Sequence, residues 1–481
     1  MSKICLTLTE DSLKKCINSV EKHGSEIQIV ELRVDLLKRS EQLKINNFKI
    51  DIPTILTFRK SVDGGLYNGD EEYRIKILEL GLKSGNFSYV DLEEDLIAPN
   101  LEELARVHNV KIIRSFHDFN GVPKDLADRL LRIKRSNDEL PKAAVMIKST
   151  EDLLLFYKES LKIKSIEKIV LGMGNMGFNT RVLAHKIGSF LTFTSTNGAS
   201  AAPGHVTPTL LKETYSFNNI DWDTEVFGII GNPVMHTKSP AIHNKGYKSL
   251  GLNAVYVPFE IDDPTIFIKI ANLIGLKGFS VTVPFKTEII PLMDSLTTSV
   301  KEIGACNTVV KINNKWVGDN TDYIGFITPL IKSYGTLKGK NVCVIGAGGS
   351  AKASLFALRE EGANVLIVNR TLEKAKVLAK QFNMEYSGLS RDNIDIIKGY
   401  SDVIIQNTNV GMHPLEDIDP IDFYDFTGNE FLYDVIYTPK VTKFLARGVD
   451  SGCKILNGWQ MLLEQGYRQF KIYTGYDYPI V

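Results

Sequence analysis

Val342-Cys343-Val344-Ile345-Gly346-Ala347-Gly348-Gly349-Ser350-Ala351 reads as an apolar strand that runs into a glycine turn and then a helix, which Lys352 to Glu360 can continue. That layout is a dinucleotide-binding loop. It has a tight turn at Gly346, close backbone approach at Gly348, and a helix start at Gly349 and Ser350 whose N–H groups face a pyrophosphate. The loop begins about 340 residues into a chain of 481, so a nucleotide-binding half comes last and the residues upstream do something else. The next strand, Asn364 to Val368, leads into Asn369-Arg370-Thr371. A cofactor with a free ribose 2′-hydroxyl meets Asp or Glu at this point. An amide, a guanidinium and a hydroxyl stand here instead, and a planar fork of donors suits a 2′-phosphate, so the expected cofactor is NADP(H).

A chain of this length exceeds one core, and two or three domains are expected. The hydrophobic fraction of 43% and charged fraction of 24% are ordinary for a globular enzyme. A formal net charge of zero gives no electrostatic case for nucleic acid or acidic membranes as partners. The five cysteines (Cys5, Cys16, Cys306, Cys343, Cys453) are scattered without metal-ligand spacing and read as reduced thiols, with no metal expected. No apolar run reaches the length of a membrane span. Strand-like sequence begins at Lys3, which leaves no room for a leader, so the expected location is cytoplasmic.

The first 215 residues alternate strand-like and helix-like segments. The expected strands are Lys3–Thr9, Gln28–Leu36, Thr54–Lys60, Tyr89–Glu93, Lys111–His117, Ala143–Lys148, Lys168–Met173 and Phe190–Thr196, each followed by room for a crossover helix. Eight such units fit an N-terminal (β/α)8 barrel better than an open doubly wound sheet, which needs no count of eight. A polar break follows near Tyr215–Glu225, and a strand restarts at Val226. The expected division is a barrel over 1–217, an α/β substrate domain over 225–330, a nucleotide domain over 331–455, and a terminal helix within 456–481 packing back on the substrate domain.

Barrel enzymes build their sites at the C-terminal ends of strands. Those ends carry Glu31, Arg33 and Asp35, then Arg59 and Asp63, then Ser115-Phe116-His117-Asp118, and later Arg181. Several arginines and a histidine on one rim suggest an anionic, carboxylate-bearing substrate and acid/base chemistry. Taken singly, each charge also fits a salt bridge that locks a loop. Glu31-Leu32-Arg33-Val34-Asp35, Thr57-Phe58-Arg59, Ser115-Phe116-His117-Asp118, Pro141-Lys142-Ala143-Ala144-Val145-Met146 and Gly172-Met173-Gly174, in that order, resemble type I 3-dehydroquinate dehydratase. The resemblance implies that Lys142 forms a Schiff base with the ring ketone and that His117 is the general acid/base. Asp63 stands where the family has a glutamate that orients this histidine. Glu31, Arg33, Arg59 and Arg181 would hold the substrate's hydroxyls and carboxylate. Spacing alone does not choose Lys142 over Lys148; the family pattern does. The segment Ser200-Ala201-Ala202-Pro203-Gly204-His205 departs from the family's lid, with Ala201 and His205 in place of serine and glutamine.

Three motifs precede the glycine loop. Gly231-Asn232-Pro233-Val234-Met235-His236-Thr237-Lys238-Ser239-Pro240 places two hydroxyls after a strand. Ser280-Val281-Thr282-Val283-Pro284-Phe285-Lys286 ends a second strand with a lysine, and Gly304-Ala305-Cys306-Asn307-Thr308 precedes Gly318-Asp319-Asn320-Thr321-Asp322. Carbonyl reduction by hydride needs a proton donor and an orienting partner, and a Lys–Asp pair supplies both, although such a pair is also a common structural ion pair. Their order resembles shikimate dehydrogenase over roughly residues 225–475. The resemblance implies Lys286 and Asp322 as the catalytic pair, and Thr237, Ser239, Thr282, Asn307, Tyr437 and Gln465 around the substrate. It also implies Gly346, Gly348, Gly349, Ser350, Asn369, Arg370 and Thr371 at NADP(H), with Gly411-Met412 near the nicotinamide. Thr237 replaces a usual serine, Ser280 a usual asparagine, and Tyr323 a usual glycine.

The two resemblances fit one another chemically. The product implied for the front half, 3-dehydroshikimate, is the ketone that the back half would reduce to shikimate. Together they imply a bifunctional 3-dehydroquinate dehydratase and shikimate dehydrogenase acting on small molecules, with oligomeric state open. The alternatives are a quinate/shikimate dehydrogenase of catabolic role and a non-catalytic quinate-pathway sensor. A sensor would have lost Lys142, His117, Lys286 or Asp322, and all four are present.

Overall fold

A computed structural model of the chain describes residues 1–196 and 206–480, with the Ser350 side chain outside the description. The lid positions Ser200, Ala201 and His205 therefore lie outside the described residues. The chain divides into two compact units, Met1–Lys277 and Gly278–Val481.

The first unit opens with eight strands: β1 Lys3–Leu8, β2 Ile29–Arg33, β3 Thr54–Thr57, β4 Tyr89–Glu93, β5 Lys111–Asp118, β6 Leu140–Met146, β7 Ile169–Met173 and β8 Leu191–Thr194. Their order, β7-β6-β5-β4-β3-β2-β1-β8, is that of a barrel, and the bridge Lys168–Ser189 lies beside its β7–β8 seam. The strands are buried on both faces, which is why they read as apolar runs rather than as alternation. One inward layer is a plug of Cys5, Ile29, Ile55, Ile113, Leu140, Ile169 and Leu191. Further along the strands the inward positions turn polar. Thr7 pairs in register with Glu31, Thr57 with Asp91, and Ser115 with both Glu93 and Lys142. Register thus delivers the charged rim to one end of the barrel.

The polar break after the barrel is not a loose tether. Lys186 Nζ donates to the carbonyls of Trp222 (2.5 Å) and Thr224 (2.9 Å), and Asp221 Oδ1 accepts from Thr224 N (2.8 Å) and Asn253 Nδ2 (3.1 Å). Two parallel strands follow, β9 Glu225–Gly231 and β10 Ala254–Glu260, with the helix Ser239–Ser249 between them. The next helix, Pro264–Leu273, packs on the barrel helix Thr150–Lys162.

The second unit holds two groups of strands. β11 Gly278–Val281, β12 Ser295–Leu296, β13 Thr308–Ile312 and β14 Lys315–Asp319 run in the order β11-β13-β14-β12. β15 Asn341–Ile345, β16 Asn364–Asn369, β17 Glu385–Gly388, β18 Val403–Gln406, β19 Phe431–Asp434 and β20 Lys454–Leu456 form a parallel sheet ordered β17-β16-β15-β18-β19-β20. Alternation splits each central strand between two cores. Val342 and Val344 join Val365 and Ile367 on one face, while Cys343 and Ile345 join Leu366 and Val368 on the other. Strand order reverses between β15 and β18, so the end of β15, where Gly346 sits, is the crevice in which doubly wound sheets bind ligands. The terminal helix Trp459–Thr474 packs on the helix Asp322–Tyr334.

Candidate functional sites

In the barrel, Lys142 is the third residue of β6, and its side chain is only 5% exposed. Its Nζ donates to Asp91 Oδ2 at 2.8 Å and lies 4.4 Å from the centre of the Phe193 ring. Asp91 also pairs with Arg59 at 2.8 Å and accepts the Ser115 hydroxyl at 2.5 Å. Arg59 donates onward to Glu93 and to Ser115 Oγ, each at 3.0 Å, and Arg74 holds the other Glu93 oxygen at 2.7 Å. Burial alone would raise the Asp91 carboxyl, but the charges of Arg59 and Lys142 outweigh it and hold the group well below the carboxylate range. Asp91 is therefore an anchor for two cations and a poor proton acceptor.

His117 comes from β5, beside this cluster. Burial, followed by the positive charges of Arg59 and Lys142, pushes its imidazole well below the ordinary histidine value and keeps it neutral. Asp63 approaches its Nδ1 at 3.8 Å, too far for a hydrogen bond, and that nitrogen has no hydrogen-bond partner among the described residues. Aspartate is one methylene shorter than the glutamate of the resembled family, and the gap has the size that difference leaves. Burial also raises the Asp63 carboxyl.

The remaining front-half residues ring this centre. Glu31 accepts from Thr7 Oγ1 (2.8 Å) and Thr57 Oγ1 (2.9 Å). Arg33 is held in two-point contact by Asp35 at 2.9 and 2.7 Å, and Asp35 also accepts the backbone N–H of Arg59 at 3.3 Å. Arg181, fully buried in the helix Phe178–Val182, donates to Phe193 O at 3.4 Å, and burial pulls its guanidinium down to about 10. Sequence reasoning missed Asp91 and Glu93. They stand two apart at the end of β4, a spacing that puts both carboxylates on one face of a strand, and that was the available signal.

In the second unit, Lys286 Nζ donates to Asp322 Oδ2 at 2.6 Å, with side chains 29% and 14% exposed. Asn307 Nδ2 donates to the other Asp322 oxygen at 2.8 Å, while Asn307 Oδ1 accepts from Thr321 N and Thr308 Oγ1, each at 2.7 Å. Asp322 starts its helix, where a carboxylate is favoured by the exposed N–H groups. Thr282 is half-buried two residues beyond the Ser280 hydroxyl. Ser280 donates to Gln469 Oε1 at 2.9 Å, and Gln469 Nε2 donates to Asn307 O at 3.2 Å, so Gln469 is a further residue that motif reading passed over. Gln465 donates to Leu462 O at 2.9 Å on the same helix, and Tyr437 meets Trp459 edge-on at 6.3 Å. Thr237 and Ser239 belong to the first unit. Ser239 is the first residue of its helix and is buried, and the two hydroxyls are 3.2 Å apart.

The glycine loop fits a dinucleotide. Gly346 adopts φ +113°, and a Cβ there would lie 2.7 Å from Thr408 and 3.0 Å from Asn407 O, so only glycine makes this turn. Among the described residues nothing stands within 4 Å of a Cβ at Gly348 or Gly349, which leaves a cradle over the start of the helix Gly349–Glu360. Its N-cap residue, Gly348, has no side chain to cap it, so the first N–H groups suit an anion. At the end of β16, Asn369 Nδ2 is tied to Thr371 O at 2.8 Å and Arg370 is exposed, without an acidic residue among the three. Gly411 and Met412 follow β18, with Met412 exposed.

Comparisons with known proteins divide the chain in the same sequence. Residues 4–221 match the type I 3-dehydroquinase family, 229–309 the shikimate dehydrogenase substrate binding domain, and 330–416 shikimate/quinate 5-dehydrogenase. The bifunctional 3-dehydroquinate dehydratase/shikimate dehydrogenase, chloroplastic, of Arabidopsis thaliana is 33% identical over 503 aligned positions, covering 99% of this chain and 83% of that protein. The shikimate dehydrogenase (NADP(+)) of Carboxydothermus hydrogenoformans is 38% identical over 54% of this chain and 95% of its own. Among solved structures, a shikimate dehydrogenase in complex with NADP+ is similar at a TM-score of 0.51 and 37% identity, over 54% of this chain and 92% of that one.

Proposed function

As a member of the bifunctional 3-dehydroquinate dehydratase/shikimate dehydrogenase family, this chain is both a lyase and an NADP-dependent oxidoreductase of the shikimate pathway, and we propose that the two residue clusters above carry its two reactions. The observation that carries the assignment is that each proposed site holds a lysine–aspartate pair, and that these two pairs differ in burial. Lys142–Asp91 is closed off (5% and 0% exposed), as a covalent intermediate shielded from water requires. Lys286–Asp322 is more open (29% and 14%), as a group that is reprotonated from solvent at each turnover requires.

In the dehydratase, Asp91, itself held by Arg59, positions Lys142 Nζ, whose ammonium passes a proton to neutral His117 and, as the free amine, attacks the ketone of 3-dehydroquinate. His117 then returns that proton to the hydroxyl that leaves as water. Loss of water from that adduct gives an iminium, which acidifies the neighbouring C–H. Among the nearby groups Asp91 is the wrong base, because its carboxyl is held too acidic. His117, kept neutral, takes the proton and delivers it to the departing hydroxyl. The substrate's carboxylate, drawn by Arg33, Arg59 and Arg181 near Glu31, offsets part of the positive charge that weakens His117 as a base. Hydrolysis of the imine frees 3-dehydroshikimate and Lys142.

In the reductase, Lys286 donates a proton to the carbonyl oxygen of 3-dehydroshikimate, and Asp322 and Asn307 fix its direction. NADPH, when bound, supplies the hydride. Gly346, Gly348, Gly349 and Ser350 would take its pyrophosphate, Asn369, Arg370 and Thr371 its 2′-phosphate, and Gly411-Met412 would border the nicotinamide. Thr237, Ser239, Thr282, Tyr437 and Gln465 are assigned to the substrate's carboxylate and hydroxyls on the family pattern. The proposed domains are 1–217, 225–330, 331–455 and the helix within 456–481. All five cysteines are free and buried, which supports a reducing compartment, and cytoplasm is our assignment. Among the described residues no helix is long and apolar enough to cross a membrane. Borohydride reduction in the presence of 3-dehydroquinate tests the front half: a covalent adduct on Lys142 is expected, and its absence, or an adduct on Lys148, contradicts the mechanism.

A further inference from the structure

Asp434 ends β19 and is fully buried. Its Oδ1 accepts the N–H of Ile436 at 2.9 Å, and its Oδ2 accepts the hydroxyl of Thr442 at 2.6 Å. Burial pushes this carboxyl up to about 6, so its position carries a cost that its hydrogen bonds offset. Both contacts lead toward the proposed site of hydride transfer. Ile436 directly precedes Tyr437, and its carbonyl accepts Gly458 N at 3.0 Å, the residue that opens the helix bearing Gln465. Thr442 lies under the nicotinamide-side loop. Gly411 sits there at φ +104°, and a Cβ on it would come within 3.3 Å of Thr442 Cβ and 3.6 Å of Ile436 Cδ1. The loop therefore rests on two residues that Asp434 holds.

The neighbouring strand repeats the device. Gln406, in register with Asp434, is buried at the end of β18. Its Nε2 donates to Val410 O at 2.7 Å, and its Oε1 accepts Thr408 N at 2.5 Å. Gln406 thus shapes the ascending part of the loop from within, and Asp434 seats its tip through Thr442.

We infer that Asp434 and Thr442 are positioning residues for the reduction: they set the Gly411-Met412 loop and Tyr437 relative to each other without touching substrate or cofactor. The inference rests on the reading of Lys286 and Asp322 as the catalytic pair. The glycine loop and Asn369-Arg370-Thr371 lie at other strand ends, so cofactor affinity should be spared when this support is lost.

The test uses the full chain with Thr442→Val, Thr442→Ser, Asp434→Asn and Lys286→Ala. For Thr442→Val we expect kcat for 3-dehydroshikimate reduction to fall on the order of tenfold to a hundredfold, as for a reacting group misplaced by a fraction of an ångström. The KM for NADPH should stay unchanged. The isotope effect with NADPH deuterated at the transferred position should rise, because hydride transfer becomes slower than the other steps. Thr442→Ser should restore the wild-type values, and Asp434→Asn should behave like Thr442→Val. A mere loss of folded protein would lower kcat without moving the isotope effect. Wild-type kcat and isotope effect in Thr442→Val, or a loss that serine fails to rescue, overturns the inference. Reduction surviving in Lys286→Ala would instead overturn the site reading beneath it, so the two failures are told apart.

Discussion

His117 shows what a single residue's surroundings decide. Its folded pKa is depressed by burial and by Arg59 and Lys142, so the native state binds fewer protons than the unfolded chain near the ordinary histidine value of about 6.5. The stabilising contribution of neutral His117 is present above that pH and is lost as pH falls toward the folded value. The full chain should therefore lose thermal stability on acidification below about pH 6.5, and His117→Gln should show a shallower loss over the same range. The dehydratase's acid limb should likewise lie below the ordinary histidine titration, which a pH–rate profile checks. An acid limb at or above about 6.5 would contradict the assignment of His117 as base. None of this depression is legible in the sequence, because Arg59, just past β3, and Lys142, on β6, are brought to His117 only by the fold. The residue types of the rim were legible, but Lys142 was separable from Lys148 only through a family pattern, and Asp91 was passed over as one more acidic residue in a strand.

At the scale of elements, the eight strands were readable because buried parallel strands are short apolar runs, here of four to eight residues. The largest boundary shifts are three residues, at the ends of β2 and β3 and at the start of β6, expected from Ala143 and found from Leu140. Pro141 and Lys142 interrupt the apolar run there, and a catalytic lysine in a strand interior looks like the end of that strand. The polar stretch near Tyr215–Glu225 read as a break, whereas Lys186 and Asn253 pin it from positions the linear pattern cannot pair with it. A related contact joins helix starts. Asp262 Oδ1 accepts both the N–H (2.9 Å) and the hydroxyl (2.5 Å) of Thr150, and Thr150 Oγ1 accepts Asp262 N at 2.9 Å. The segment after β10 thus caps a barrel helix, and a cap is typically worth about 0.5–2 kcal/mol. Asp262→Ala should destabilise the full chain by about that much in denaturant unfolding followed by loss of dehydratase activity. An unchanged midpoint would show that the contact contributes nothing to the barrel.

At the scale of the whole molecule, the chain joins two lysine chemistries whose product and substrate coincide. The glycine loop, met as a nucleotide motif in an unexpectedly late position, follows a full barrel and the segments that precede the reductase's cofactor half. NADP(H) was expected from Asn369, which ends β16, and from the Arg370 and Thr371 that follow it. Arg370→Ala should raise the KM for NADPH about tenfold or more while leaving that for NADH nearly unchanged, the difference being the lost guanidinium–phosphate contact. Equal effects on both cofactors would remove Arg370 from the 2′-phosphate site. The most direct test of the two-site account is one coupled assay, started with 3-dehydroquinate and NADPH, on the wild-type chain, Lys142→Ala and Lys286→Ala. The wild type should oxidise one NADPH for each 3-dehydroquinate consumed and yield shikimate. Lys142→Ala should do nothing with 3-dehydroquinate yet still reduce added 3-dehydroshikimate, and Lys286→Ala should stop at 3-dehydroshikimate with NADPH unspent. Loss of both activities in either variant, or full turnover in Lys142→Ala, would contradict it.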